Sequence, residues 1–358
     1  MKAIDKIDPN FTVQTSLNRQ GIKFHPADSD LFCLSGVFWK DGRFHRMPSE
    51  TAEQISDGVY ELHTQTAGGR LRFCTTSSYV AISAKMGYIG KMPHFALTGS
   101  AGFDLYERID GKQIYMGTFV PPFDIHDSYE SILELGNSNM HELTIHFPLY
   151  SGVDYLHIGL DEAAIVKPAP EYTHRRPIVF YGSSITQGGC ASRPGNAYPN
   201  QISLMLDCEH INLGFSGSAK AEDTMAEYIS GLDMSILVYD YDYNAPDPEY
   251  LEATHEKMFR KIRSAHPSLP IIMMSLPKIP RRLTGIQQRR WSIIQSTYKN
   301  AIAAGDTNVY LISGAELLGE SIESATVDNC HPNDIGFYYM ASKLAPIIKS
   351  ILLKPANE

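Results

Sequence analysis

The feature that constrains this chain most is a change of rhythm near its middle. Up to about residue 165, apolar and polar residues alternate in short runs broken by turn residues. After "KPAPEYTHRRP" (Lys167 to Pro177), buried-strand signals alternate with helical ones. Successive side chains of a strand point to opposite faces, so a period of two marks half-buried strands. "HELTIHF" shows it: Leu143, Ile145 and Phe147 fall on one face, and Glu142, Thr144 and His146 on the other. "AGFDLYERIDGKQIYMGTF" reads as a hairpin about Asp110-Gly111, a dipeptide that accepts the positive φ values of a two-residue turn. "GVYELHTQTAGGRLRFCTTSSYVAISAKM" reads the same way, as strands about a Gly68-Gly69 turn. Without long helical periods, residues 1–168 are expected to form an antiparallel all-β sandwich.

Beyond a linker at about 167–177, the second region runs from 177 to 358. "IVFYG", "HINLGFSG", "SILVYD", "PIIMMSLP" and "VYLISG" read as strands. Between them lie helical stretches, among them "NAYPNQISLMLD", with Pro199 in its first turn, and "DPEYLEATHEKMFRKIRSAH", which stops before Pro267. A last helix starts near Asn333, a good N-cap. Strands alternating with helices imply a parallel sheet covered on both faces, a three-layer α/β/α domain. Two domains also suit 358 residues, more than one typical core holds.

Composition narrows the function. With 31 Lys+Arg against 40 Asp+Glu the formal net charge is -9, and no basic block of the kind that grips phosphates is present, so a nucleic-acid partner is not expected. The tightest basic cluster, Arg281 to Arg290, reads as the polar face of a helix start. No run approaches the roughly 18 apolar residues of a membrane helix. The charged beginning "MKAIDKIDPNF" lacks the apolar core of a secretory signal, so a cytoplasmic location is expected. Five scattered cysteines form no CxxC pair, and His141, Glu142 and His146 lack the four-residue helical spacing of a zinc protease. Neither a metal nor another cofactor is expected.

In an open parallel sheet, ligand groups gather beyond the carboxyl ends of the strands. Beyond the first strand comes "GSSIT" with Ser184, beyond the second "GFSG" with Gly217, beyond the third "YDYNAP" with Asn244, and beyond the fifth "VDNCHPND" with Asp328 and His331. A serine hydroxyl is a weak nucleophile that needs an adjacent base, and a histidine oriented by a carboxylate is one. The Asp-x-x-His spacing lets Asp328 reach the His331 ring within one loop. The Gly217 N–H, the Asn244 amide and the Ser184 N–H are candidate donors to an oxyanion. Arg193 is a candidate substrate contact or salt-bridge partner, and Asp242 and Tyr243 are candidate pocket residues.

Gly182-Ser183-Ser184-Ile185-Thr186, Gly217, Asn244 and Asp328-x-x-His331, in this order, resemble the SGNH (GDSL-type) ester hydrolase superfamily. "GFDLY" (Gly102 to Tyr106) and "GCASRPGNAYP" (Gly189 to Pro199) are similar to a two-domain subgroup, in which a sandwich bearing Gly-x-Asp-Leu-Tyr precedes the hydrolase domain. The resemblance implies Ser184 as nucleophile, Gly217 and Asn244 as oxyanion donors, and Asp328–His331 as the charge pair. Two positions depart from it. Ser183 stands where the family usually has Asp, and Asp242-Tyr243-Asn244-Ala245 replaces Gly-x-Asn-Asp. The expected activity is hydrolysis of short acyl esters, acetyl above all, on a small-molecule or oligosaccharide alcohol, through an acyl-enzyme. An acyltransferase using the same intermediate and a carbohydrate-binding protein with an inactive site are the alternatives. Three roles stay open for the sandwich: binding sugar, walling the site, or forming the interface of a homo-oligomer.

Overall fold

The computed structural model describes residues 17, 19–278, 283–319 and 324–354. The first sixteen residues of the sandwich region, and Arg281 and Arg282 of the basic cluster, therefore lie outside the described residues.

The first region contributes β1 (Ile22–Pro26), β2 (Cys33–Ser35), β3 (Phe38–Lys40) and β4 (Arg43–His45), then two short helices, α1 (Ser49–Ile55) and α2 (Asp57–Leu62). β5 (Arg70–Thr75) and β6 (Tyr79–Tyr88) follow, then α3 (Leu97–Ser100), β7 (Phe103–Ile109) and β8 (Lys112–Phe119). β9 (Ser128–Glu134), β10 (His141–His146), β11 (Gly152–Asp161) and β12 (Val166–Pro168) complete it. One sheet runs β1-β11-β6-β9; the other runs β12-β5-β10-β7-β8, with β2 also on β5. Their pairings are antiparallel, and the sheets close over a core that includes Leu71, Phe73, Phe103, Leu105, Leu143 and Ile145. The Asp110-Gly111 turn joins β7 to β8 with both residues at positive φ, 49° and 77°.

The Gly68-Gly69 reading needs correction. Gly58–Leu62 is helical, within an α2 capped by the Ser56 hydroxyl, which accepts from the Val59 N–H. No strand among the described residues leads into Gly68-Gly69 to pair with β5 across the turn; β5 pairs with β10, β12 and β2 instead. Gly68, at φ +83°, marks a close approach: a Cβ there would lie 2.6 Å from the Asn212 Cβ of the second region. The glycine is needed for contact between domains.

The second region has five parallel strands, β13 (His174–Gly182), β14 (Cys208–Gly214), β15 (Ile236–Asp240), β16 (Ile271–Met274) and β17 (Val309–Ile312), in the order β14-β13-β15-β16-β17. Helices α4 (Ser184–Gln187), α5 (Tyr198–Leu206), α6 (Asp223–Ser230), α7 (Pro248–Ala265), α8 (Gly285–Ala303), α9 (Gly314–Leu318) and α10 (Asp334–Leu352) connect and cover them. Two buried clusters, one containing Phe180 and Val238 and the other Val179 and Leu237, occupy the two faces of the sheet. This is an α/β/α domain. Lys167 and Pro168 close β12, and His174–Pro177 already belong to β13, so residues 169–173 make the crossing. The basic cluster does lead into a helix, with Thr284 as N-cap of α8. Among the described residues no helix is long and apolar enough to cross a membrane.

The two regions share a core. Ala67, Phe95, Leu149 and Tyr150 of the first pack in one buried cluster with Ile178, Phe180 and Tyr198 of the second. Around this apolar contact runs a polar seam. Arg70, fully buried, pairs with Glu209 and donates to the His210 carbonyl at 2.9 Å. The Gly-x-Asp-Leu-Tyr segment lies in this seam, and its period of two explains it. Phe103 and Leu105 enter the sandwich core, while Asp104 and Tyr106 face the second region. Asp104 accepts from Arg193 at 3.1 Å and from the Gly195 N–H at 2.9 Å, and the Tyr106 hydroxyl bonds Arg193. Two residues of the polar face of β10 are therefore buried as well, Thr144 at 4% and His146 at 0% exposure, while Glu142 stays half-buried.

Candidate active site

β13 sits between β14 and β15, where successive connections leave in opposite directions, the point at which open α/β sheets form their crevice. Gly182 is in register with Gly214 and with Asp240, so the loops after these three strands leave the sheet at one level. Gly182 itself has no room for a side chain, since a Cβ would meet the Asp240 carbonyl at 2.2 Å.

Ser183 caps α4: its hydroxyl accepts from the Ile185 N–H at 3.2 Å, and its own N–H donates to the Asp240 carbonyl at 3.0 Å. The hydroxyl thus does the turn-holding work open to a short polar side chain. Ser184 follows at the first turn, and its Oγ lies 2.9 Å from His331 Nε2. His331 Nδ1 lies 2.7 Å from Asp328 Oδ2. Asp328 Oδ1 in turn accepts from the backbone N–H groups of Cys330 (3.0 Å) and His331 (2.7 Å), which fixes the carboxylate within its own loop. Burial raises the Asp328 carboxyl's affinity for its proton, but these hydrogen bonds outweigh it and hold the pKa down to about 2. The carboxylate orients the ring with Nδ1 toward Asp328 and Nε2 toward the Ser184 hydroxyl.

The oxyanion candidates stand on the neighbouring loops. Gly217 adopts φ +67° with open space where a Cβ would lie, a backbone geometry that favours glycine. The Asn244 amide donates to the Phe215 carbonyl at 2.9 Å, tying the third loop to the second. An amide carries two N–H donors, so one remains for a ligand.

The other predicted residues sit as follows. Arg193 has its guanidinium on Asp104 and Tyr106 and 3.9 Å over the Tyr115 ring, a clamp across the seam. Asp242 is buried (3% exposed); it accepts from the Leu276 N–H at 3.2 Å and, with Asp240, has its carboxyl pushed above the ordinary range by burial. Tyr243 is exposed, and the neighbouring Cys330 thiol, then burial, raises its phenol to about 12.

Several residues at the site carry no local sequence signal. The Tyr150 hydroxyl donates to the Ser184 carbonyl at 3.2 Å. Gln187 donates to Gln65 Oε1 (2.6 Å) and the Leu149 carbonyl (3.1 Å), and accepts from the Ser216 N–H (3.0 Å), bracing the loop that carries Gly217. Arg46 donates to the Gly214 carbonyl at 2.6 Å from below, with burial lowering its pKa to about 9. The His94 ring lies 6.1 Å from that of His331, centre to centre. Tyr150, Gln65, Arg46 and His94 all belong to the first region, which thus forms part of the wall and floor of the site.

Residues 175–349 match the GDSL-like lipase/acylhydrolase family, and residues 22–166 match the N-terminus of SGNH-hydrolase-type esterases, the GxDLY domain. The chain belongs to the SGNH (GDSL-type) hydrolase superfamily. This SGNH hydrolase is a carboxylic ester hydrolase by that membership. It is similar to a Bacteroides ovatus protein described as a GDSL-like lipase, at 28% identity, a TM-score of 0.83, and coverage of 92% of this chain and 98% of the other. It shares its fold with a salicylyl-acyltransferase from a tetracycline biosynthetic pathway (16% identity, TM-score 0.76, 95% and 100% covered). The same holds for a family two carbohydrate esterase from Clostridium thermocellum (16%, 0.57, 80% and 93%). No curated protein matches the SGNH hydrolase by sequence.

Proposed function

We propose that Ser184 is the nucleophile of a metal-independent serine esterase acting on short acyl esters, acetyl above all, borne by a carbohydrate. The observation that carries the reading is the unbroken chain Ser184 Oγ–His331–Asp328, at 2.9 and 2.7 Å. His331 takes the Ser184 proton as Oγ attacks the ester carbonyl, and returns it to the departing alcohol. The Asp328 carboxylate stabilises the imidazolium formed between those steps. Gly217, Asn244 and the Ser184 N–H donate to the oxyanion, each donor being worth about 3–4 kcal/mol of barrier. Water then repeats the sequence on the acyl-enzyme.

The preference for a short acyl group is supported by the narrow setting of Ser184, where Gly189 passes beside the Ser184 carbonyl and the His331 ring. The carbohydrate alcohol is supported by the fold shared over most of the chain with proteins described as carbohydrate esterases, one of them an acetyl xylan esterase from Butyrivibrio proteoclasticus. A panel of p-nitrophenyl esters from acetyl to octanoyl, together with acetylated oligosaccharides, tests the reading. The expected result is fastest turnover at acetyl and release of acetate from the sugars. Equal rates for wild type and Ser184→Ala would remove Ser184 from the mechanism. Transfer outrunning hydrolysis with excess alcohol would make the enzyme an acyltransferase.

A further inference from the structure

The mouth of the candidate site carries two donors that ester hydrolysis does not use, His94 and Cys190, beside the candidate base His331. His94, Cys190 and His331 each offer one ligand atom, and the three atoms lie within 4.8 Å of one another. They arrive from separate segments: the sandwich loop before α3, the turn after α4, and the loop before α10. Their types, two imidazoles and a thiol, suit zinc and similar thiophilic divalent ions.

Two further observations point the same way. The Asp328 carboxylate holds His331 Nδ1, so the lone pair that faces the site is on Nε2, where it meets the Ser184 hydroxyl; carboxylate–histidine pairs orient metal ligands in the same way. Cys190 adopts φ +75°, directly after Gly188 and Gly189. The left-handed region costs an L-residue about 1–2 kcal/mol. A third glycine would avoid that cost, yet a thiol is held here against it. A coordinated cation displaces the proton of a thiol ligand. A tetrahedral zinc with bonds of about 2.0–2.3 Å sets its ligand atoms about 3.4–3.6 Å apart. Closure therefore needs roughly an ångström of movement, which the exposed His94 side chain can supply.

We propose that His94, Cys190 and His331 bind Zn²⁺ or a similar thiophilic divalent cation across the mouth of the site, and that the bound cation switches the esterase off. On binding, the Cys190 proton leaves to solvent, the thiolate and two imidazole nitrogens bond the metal, and water completes the tetrahedron. No electron is transferred. The His331 Nε2 lone pair then serves the metal, so the Ser184 proton has no acceptor. The inhibition rests on the proposed role of His331; the binding does not.

The test uses the full chain after chelator treatment and two readouts. ZnCl₂ is titrated into p-nitrophenyl acetate hydrolysis, each variant being compared with its own metal-free rate. CdCl₂ is titrated while the thiolate-to-cadmium charge-transfer absorption is followed, which requires no activity. The expected result is chelator-reversible inhibition whose half-point rises at least tenfold in His94→Ala and in Cys190→Ser. The cadmium band should vanish in Cys190→Ser and persist in Cys330→Ser. Cys330 is the informative control, because Asp328, Cys330 and His331 also converge. Equal zinc sensitivity in wild type and both variants would overturn the proposal, as would a band that follows Cys330. A band that follows Cys190 in a chain that cleaves no ester would uphold the cation site and sink the esterase reading instead.

Discussion

Two carboxylate–histidine pairs, alike in chemistry, sit in opposite settings in this molecule. Asp328 and His331 lie on one loop at 2.7 Å, with side chains 35% and 24% exposed. Asp104 and His146 face each other across β7 and β10 at 3.1 Å, both fully buried. The second oxygen of each aspartate is also occupied, by backbone N–H groups of its own loop in Asp328 and by Arg193 and the Gly195 N–H in Asp104. The difference lies at the far imidazole nitrogen. In His331 it meets the Ser184 hydroxyl; in His146 it is buried without a hydrogen-bond partner among the described residues. An aspartate orients a histidine equally well in both places. Only a histidine that opens onto a hydroxyl and a crevice can move a proton, and the other pair joins two domains.

That contrast can be broken in several ways. The largest effect is expected for His331→Ala, with p-nitrophenyl acetate turnover falling by about 10⁴-fold or more and the melting temperature almost unmoved. A stability loss without an activity loss would exchange the roles of the two histidines. Asp104→Ala should do the converse. It leaves the half-buried Arg193 and the buried His146 without their shared carboxylate, at a cost of about 3 kcal/mol in urea unfolding, with kcat within a few-fold of wild type. Asn244→Ala comes next, with kcat reduced about 10²–10³-fold and little change in KM, since the amide is assigned to the oxyanion. A rise confined to KM would make Asn244 a substrate contact.

The smallest effects are pH-dependent and of opposite sign. Asp240 is raised by burial and then by the nearby Asp242 carboxylate, so the folded state holds a proton that the unfolded chain has released. Its contribution to stability is greatest below about pH 4 and declines as pH rises, by up to about 1.4 kcal/mol per pH unit, until the folded group ionises. Unfolding free energies at pH 5 and pH 8 should therefore differ less in Asp240→Asn than in wild type. Asp328 is depressed to about 2, so its contribution is present above about pH 4 and fades as pH falls toward 2. An Asp328→Asn chain should lose that acid-side slope, and an unchanged slope would mean that the pair with His331 does not persist in solution.

Much of this was legible in the residues before any coordinates. The period of two in "HELTIHF", the Asp110-Gly111 turn, the strand–helix alternation after Pro177 and the Asn333 cap are local patterns, set by backbone geometry and nearest neighbours. Ser184, Gly217 and Asn244 were legible for a related reason: each follows the carboxyl end of a strand, and the parallel register brings those ends to one edge, whereas Asp328 and His331 lie beyond α9 and were marked by their Asp-x-x-His spacing. The helical Gly58–Leu62 was missed because its stabilisation comes from the Ser56 cap and from packing, with Gly58 so close to Ser218 that a Cβ would lie 2.3 Å from its hydroxyl.

The sequence by itself determined the alternation of faces, the turns and the order of the chemical groups along the chain. Only the tertiary structure decided which faces are hidden and which groups meet. Arg193 turned out to clamp a seam, Tyr150 and Gln65 to reach the Ser184 segment from the other domain, and Thr144 and His146 on the polar face of β10 to be buried. Gln65 and Gln187 stand 122 residues apart, as Ser184 and His331 stand 147 apart. Contacts of that span arise from the docking of whole sheets, through shared apolar burial and matched polar groups, and no local period records them.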